Sequence, residues 1–175
     1  MKKILFLLST LISINTFATS WVDIVVEDPI VKGKICKVSK PASFGSYIYE
    51  MPSKYDQVFW PQIDIDNIWF CKSSGYVSFM DDFDELNDSE KLKIKNYLVN
   101  HKLKRPTESE LITTLEDIYA LRDIDAESRN PLNRVFARWH QDLGNIDLAN
   151  NYRKTAYLEI KSKLQSKLSI HKKLE

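Results

Sequence analysis

An α+β fold, with a small β-rich region ahead of a four-helix tail, is predicted by a change of hydrophobic periodicity and by two capping sequences. Between Trp21 and about Met80, β-branched residues run in short or alternating stretches; from Asn87 onward, apolar residues recur every three or four positions. Asn87 and Thr107 are each followed three residues later by Glu, the sequence of a reciprocal helix cap. The chain thereby divides into residues 1–18, read as a signal peptide, 19–86, the β region, and 87–175, the helical tail.

The leader reading rests on "MKKILFLLSTLISINTFATSW". Lys2 and Lys3 form a positive start, Ile4 to Ile14 an apolar run, and Thr16 and Ala18 offer the small residues a signal peptidase reads. Cleavage is expected after Ala18, which sends the mature chain to a bacterial periplasm or the medium. The run is short for a membrane span and Asn15 closes it, so no stable span is expected after cleavage. Loss of Lys2 and Lys3 turns the formal net charge of +1 slightly negative. That balance lacks the basic excess of a nucleic-acid partner. Eight Phe, eight Tyr and four Trp against four Gly point to a filled core rather than a disordered chain.

Within the β region, "WVDIVVED" and "VKGKICKV" read as strands bounded by Asp-Pro and Lys-Pro, and "SYIYEM" as a third ending at Pro52. "QIDIDNIWF" sets Ile63, Ile65 and Ile68 against Asp64, Asp66 and Asn67, as a half-buried strand does. In the tail, the first two helices follow the caps at Asn87 and Thr107. A third is expected to start with Asn130 as cap and Pro131 at its first position, and to end at Gly144. Its stripe is Leu132, Val135, Phe136, Trp139 and Leu143. The fourth runs from Ile146 to about Leu168.

Ala137, Gly144, Ala149 and Ala156 put small residues where the last two helices would cross. Over about thirty residues this resembles one tetratricopeptide repeat. An ordinary αα-hairpin with alanines at its contact has the same spacing.

The stretch "IWFCKSSGYVSFMDDFDEL" carries a more specific pattern. Trp69, Cys71, Gly75, Tyr76, Phe79, Asp82 and Phe83 resemble a bacterial family with a zinc-ribbon head and a tetratricopeptide-like helical tail. Cys36 would stand for the first cysteine of the other pair. That resemblance implies an α+β scaffold and no activity. Where the family has second cysteines, this chain has Ser39 and Ser74. A structural zinc site needs four good ligands, and a protonated hydroxyl is a poor one, so no metal site and no cofactor are expected. The ribbon geometry implies a replacement. Sulfurs of a tetrahedral four-sulfur site lie about 3.8 Å apart, so modest closure would join Cys36 to Cys71 as a disulfide, which persists after export.

No strong catalytic motif is present: no Cys-x-x-Cys, no Gly-x-Ser-x-Gly, no phosphate-binding glycine loop and no His-Glu-x-x-His. His140, beside Trp139 and near Asp142, is the candidate for an alternative reading as a hydrolase. Asp81, Asp82, Asp84 and Glu85 lack the spacing of a calcium loop and suit the turn before a helix. On the third helix Arg134, Arg138 and Gln141 share a face, where two guanidinium forks could hold a carboxylate. The expectation is an exported non-enzymatic interaction module, a scaffold or an inhibitor or immunity-type binder, that binds another protein or an acidic peptide there. A hydrolase or a metal-binding protein are the alternatives.

Overall fold

The computed structural model describes residues 21–42 and 65–171. The expected strand at "SYIYEM" and the first part of "QIDIDNIWF" lie outside the described residues. Among the described residues, two antiparallel hairpins and four helices follow one another, so the α+β order read from the sequence is observed.

The first hairpin pairs β1 (Trp21–Glu27) with β2 (Ile35–Pro41), in a register that sets Val26 opposite Cys36 and Glu27 opposite Ile35. The expected strand from Val31 starts only at Ile35, because Asp28 to Lys34 closes the hairpin. The Asp28 carboxylate accepts from the Ile30 and Val31 amides at 2.9 and 3.0 Å. The Lys34 amide donates to the Val31 carbonyl, and Gly33 takes a φ of +75°, a conformation that costs a side-chain-bearing residue energy.

A 3₁₀ turn (Ile65–Asn67) leads into β3 (Ile68–Cys71), which pairs with β4 (Tyr76–Phe79) across a tight turn. The half-buried strand expected up to Phe70 is thus a turn followed by a short strand. The Gly75 amide closes the β3–β4 turn on the Cys71 carbonyl at 2.7 Å with φ +86°. Every residue of β4 is buried, which explains why its sequence does not alternate. Trp69 fastens one hairpin to the other, its indole N–H donating to the Ser39 carbonyl at 2.7 Å. Cys36 to Ser39 runs straight along β2 rather than forming a knuckle, and only Cys71 to Ser74 opens a turn.

α1 (Asp88–His101) and α2 (Glu108–Leu121) start as the caps predict. Asn87 and Thr107 each accept from the amide three residues on, and Glu90 and Glu110 return the bond to the cap amide. α3 (Ala126–Asp142) starts more than a turn before the expected Pro131. Asp125 is the residue that caps it, accepting from the Ser128 amide at 2.9 Å. Pro131 therefore lies inside the helix, where it has no N–H to give the carbonyl one turn back.

The end of α3 follows expectation. Gly144, at φ +79°, lets its own amide reach the Gln141 carbonyl and the Asn145 amide reach the His140 carbonyl, the paired bonds of a left-handed glycine terminus. α4 (Ile146–His171) then runs back along α3, with Ala137, Ala149 and Ala156 buried at the contact.

One core runs through both regions. Trp69 and Tyr76 pack on Phe83, while Phe79 of β4 meets Tyr119 of α2 and Trp139 of α3, all with ring centroids under 6 Å apart. Ile94, Ile112, Leu115, Ile118 and Val135 fill the rest. Among the described residues no helix is long and apolar enough to cross a membrane.

Candidate functional site

The expected cysteine pair is bonded. β2 and the end of β3 bring Cys36 and Cys71 together as a disulfide with Cα atoms 4.8 Å apart, inside the range such a bond requires. Both are buried, so an external thiolate cannot reach either sulfur without opening the head.

A third member of this cluster leaves no trace in the spacing of the cysteines. Asp28, from the β1–β2 turn, is also buried, and its Oδ2 lies 3.2 Å from the Cys71 sulfur. The Ser73 hydroxyl donates to the same oxygen at 2.5 Å and stands 3.0 Å from the same sulfur. Ser74 instead turns its hydroxyl to the Tyr76 amide at 3.2 Å. The serine beside the sulfur is thus Ser73, not Ser74. Asp28 could have been suspected only from Asp-Pro ahead of a hairpin turn, a signal for local structure and not for contact across 43 positions.

His140 is set by packing. Its ring is 3% exposed, and its Nε2 lies 2.5 Å from Glu116 Oε1 on α2. Its Nδ1 faces the Asn145 amide group at 3.3 Å, and the Tyr152 ring stacks parallel to it. Burial, and then the Glu116 charge and hydrogen bond, hold the Tyr152 hydroxyl well above the ordinary tyrosine range. The carboxylate paired with His140 is therefore Glu116, not Asp142. Asp142 is exposed and sits 3.8 Å from Arg138. His140 thus joins α2, α3 and α4 through Glu116, Asn145 and Tyr152.

Arg134, Arg138 and Gln141 do share one face of α3, as its helical spacing requires. Arg138 pairs one turn along with Asp142. Gln141 accepts a hydrogen bond from Arg153 of α4, which also reaches Asn150 at 3.2 Å. A third guanidinium, from the facing helix, thus meets the predicted row. Sequence spacing along one helix carries no trace of it.

A cleft of about 620 Å³ opens between the β4–α1 connection and α3. Its wall is apolar, with Phe79, Ile124, Leu132 and Val135, and its rim is acidic. Burial, with the Asp82 charge behind it, raises the Asp81 carboxyl above its ordinary range. At the back, Arg122 lies 3.3 Å from Asp82 and 3.6 Å from Glu90, and donates to the Glu85 carbonyl at 2.9 Å. Its burial disfavours the charge, but Tyr119, Tyr76, Asp82 and Glu90 outweigh that and raise its affinity for the proton. The acidic run expected to solvate the turn before α1 therefore also clamps Arg122.

No protein-family model, curated protein or solved structure matches this chain.

Proposed function

We propose that this chain is an exported, non-enzymatic protein-interaction module. In this reading a disulfide-closed head, in the place of a zinc ribbon, braces a tetratricopeptide-like hairpin whose α3 face binds an acidic peptide or a protein C-terminus. The observation that carries it is the meeting of Arg138 and Gln141 on α3 with Arg153 on α4. Guanidinium forks from two packed helices offer planar donors at fixed separation, which matches paired carboxylates better than mobile lysines do. Two of their present partners, Asp142 and Asn150, are side chains near the surface. Such pairs contribute little to stability, so an incoming carboxylate can displace them at small cost. Export gives the Cys36–Cys71 bond the oxidising surroundings in which it persists.

The test is capture from a periplasmic extract with the mature chain as bait. Reversal of Arg134 and Arg138 to Glu should abolish recovery of the partner, and Arg153→Glu should weaken it. Rising salt should weaken the wild-type interaction, as it does for charge-assisted contacts near the surface. Equal recovery by the wild type and the double reversal, with unchanged circular dichroism, would count against this surface.

A further inference from the structure

The carboxylate of Asp28 is buried beside the disulfide, with no cation in contact with it among the described residues. Its Oδ1 takes the Ile30 and Val31 amides and its Oδ2 takes the Ser73 hydroxyl, all neutral donors. Burying a carboxylate carries a large desolvation cost, which neutral donors offset only in part. The disulfide it touches has no proton to give. Asp28 thus holds the hairpin turn with one oxygen and sets the other beside the sulfur of Cys71.

We propose that the head is a redox-gated metal site, in which Asp28, Cys36 and Cys71 of the reduced chain bind a thiophilic divalent cation such as zinc. Among the described residues these three form a cluster whose ligand atoms all lie within 4.8 Å of one another, and each is at most 5% exposed. Two thiolates and a carboxylate are a sufficient donor set for a three-ligand tetrahedral site whose fourth position is held by a weaker oxygen. Ser73, whose hydroxyl reaches both Asp28 and Cys71, occupies that corner. The ligand set differs from that of a four-cysteine ribbon, because Asp28 belongs to neither Cys-x-x-Ser segment. It comes from the turn before β2, two hydrogen-bonded amides holding it in place.

Two steps load the site. A dithiol reductant breaks the Cys36–Cys71 bond, supplies two electrons and two protons, and is itself oxidised to its disulfide. The cation then displaces both thiol protons to solvent and takes an oxygen from Asp28. Oxidation by a dithiol oxidase or by oxygen reverses the sequence and expels the ion. The disulfide and the metal are thus alternative clasps for the same two hairpins. This inference is independent of the α3 surface, which lies on the helical tail.

The experiment uses the full mature chain, reduced with a dithiol, desalted under argon and titrated with cobalt(II). Binding should give thiolate-to-cobalt charge-transfer absorption with intense tetrahedral d–d bands, both lost on adding zinc. The oxidised chain should give neither. Asp28→Asn keeps the turn's acceptor for the Ile30 and Val31 amides but weakens the metal. It should bind zinc more than about a hundredfold less tightly, beyond the 10–100-fold loss that follows when only a supporting hydrogen bond is removed. X-ray absorption of the zinc-loaded wild type should show two sulfur and at least one oxygen neighbours, a readout that does not require the variant to fold. If the reduced chain unfolds, zinc should restore its helical circular dichroism. Absence of charge-transfer bands together with no refolding overturns the proposal, as do four sulfur neighbours from two chains or unchanged affinity in Asp28→Asn.

Discussion

Glu90 shows how one side chain can carry several joints. It closes the α1 cap through the Asn87 amide at 3.0 Å, accepts from the Asp123 amide at 2.9 Å beyond α2, and faces Arg122. Burial works against its charge, but those amides and the guanidinium prevail and lower its pKa below the ordinary glutamate value. A depressed folded-state pKa contributes stability that is present above the unfolded value of about 4.3 and lost as pH falls through the folded one. Resistance to urea should therefore fall on acidification below about pH 4, and Glu90→Gln should flatten that part of the profile. An identical acid limb in the variant would show that Glu90 is not its source. His140 gives the complementary prediction. His140→Ala leaves Glu116 without its ring partner and opens a cavity beside Tyr152, so it should cost about 2–4 kcal/mol in the same assay. The cap role of Glu90 was legible in the sequence because caps are local. Its bond to Asp123 and the His140–Glu116 pair were not, since each joins helices whose packing the spacing along one helix cannot report.

At the level of elements, the glycines separate conformational from steric demands. Gly75 and Gly144 both have positive φ, which disfavours alanine by about 1 kcal/mol. A Cβ at Gly144 would meet open space, whereas one at Gly75 would stand 2.9 Å from Lys102 Cγ and 3.3 Å from its Cα. Gly75→Ala should thus destabilise the chain clearly more than Gly144→Ala, by roughly 1–3 kcal/mol in excess, because the Lys102 backbone cannot simply swing away. Equal losses in thermal unfolding would mean that the β3–β4 turn and the α1 terminus part readily. Helix ends show the limits of reading elements from sequence. Asn130 followed by Pro131 has the form of a helix start, yet Asn130 is buried and donates to the Ala156 carbonyl and to Glu159 at 2.9 and 2.8 Å. Asp125 and Ser128, five and two residues earlier, carry the competing cap, and packing on α4 decided between them. The β-rich head was harder to read for the opposite reason. Its strands are short, β4 is buried throughout, and the hairpin turn at Val31 to Lys34 lies inside a β-branched run.

For the molecule as a whole, the order of a β-rich head before four helices was legible because each half has its own period. Their shared core was not, because the Phe79, Tyr119 and Trp139 contacts join segments far apart in the chain. Within the head, what holds the first hairpin to the second is covalent as well as apolar. The Cys36–Cys71 link spans 35 positions. Closing a loop of that length removes denatured-state entropy equivalent to about 4 kcal/mol. A chain with both cysteines replaced by Ala should therefore unfold at lower urea by about that amount, and a smaller loss would mean that Trp69 and the aromatic cluster hold the hairpins unaided.

The link on which the head depends is the sulfur bridge between β2 and β3. Proteolytic mapping of the unreduced, alkylated chain tests it most directly. One cross-linked peptide pair containing Cys36 and Cys71 is expected, with no alkylated cysteine until a reductant is added. Alkylation of both cysteines in the untreated folded chain would contradict it.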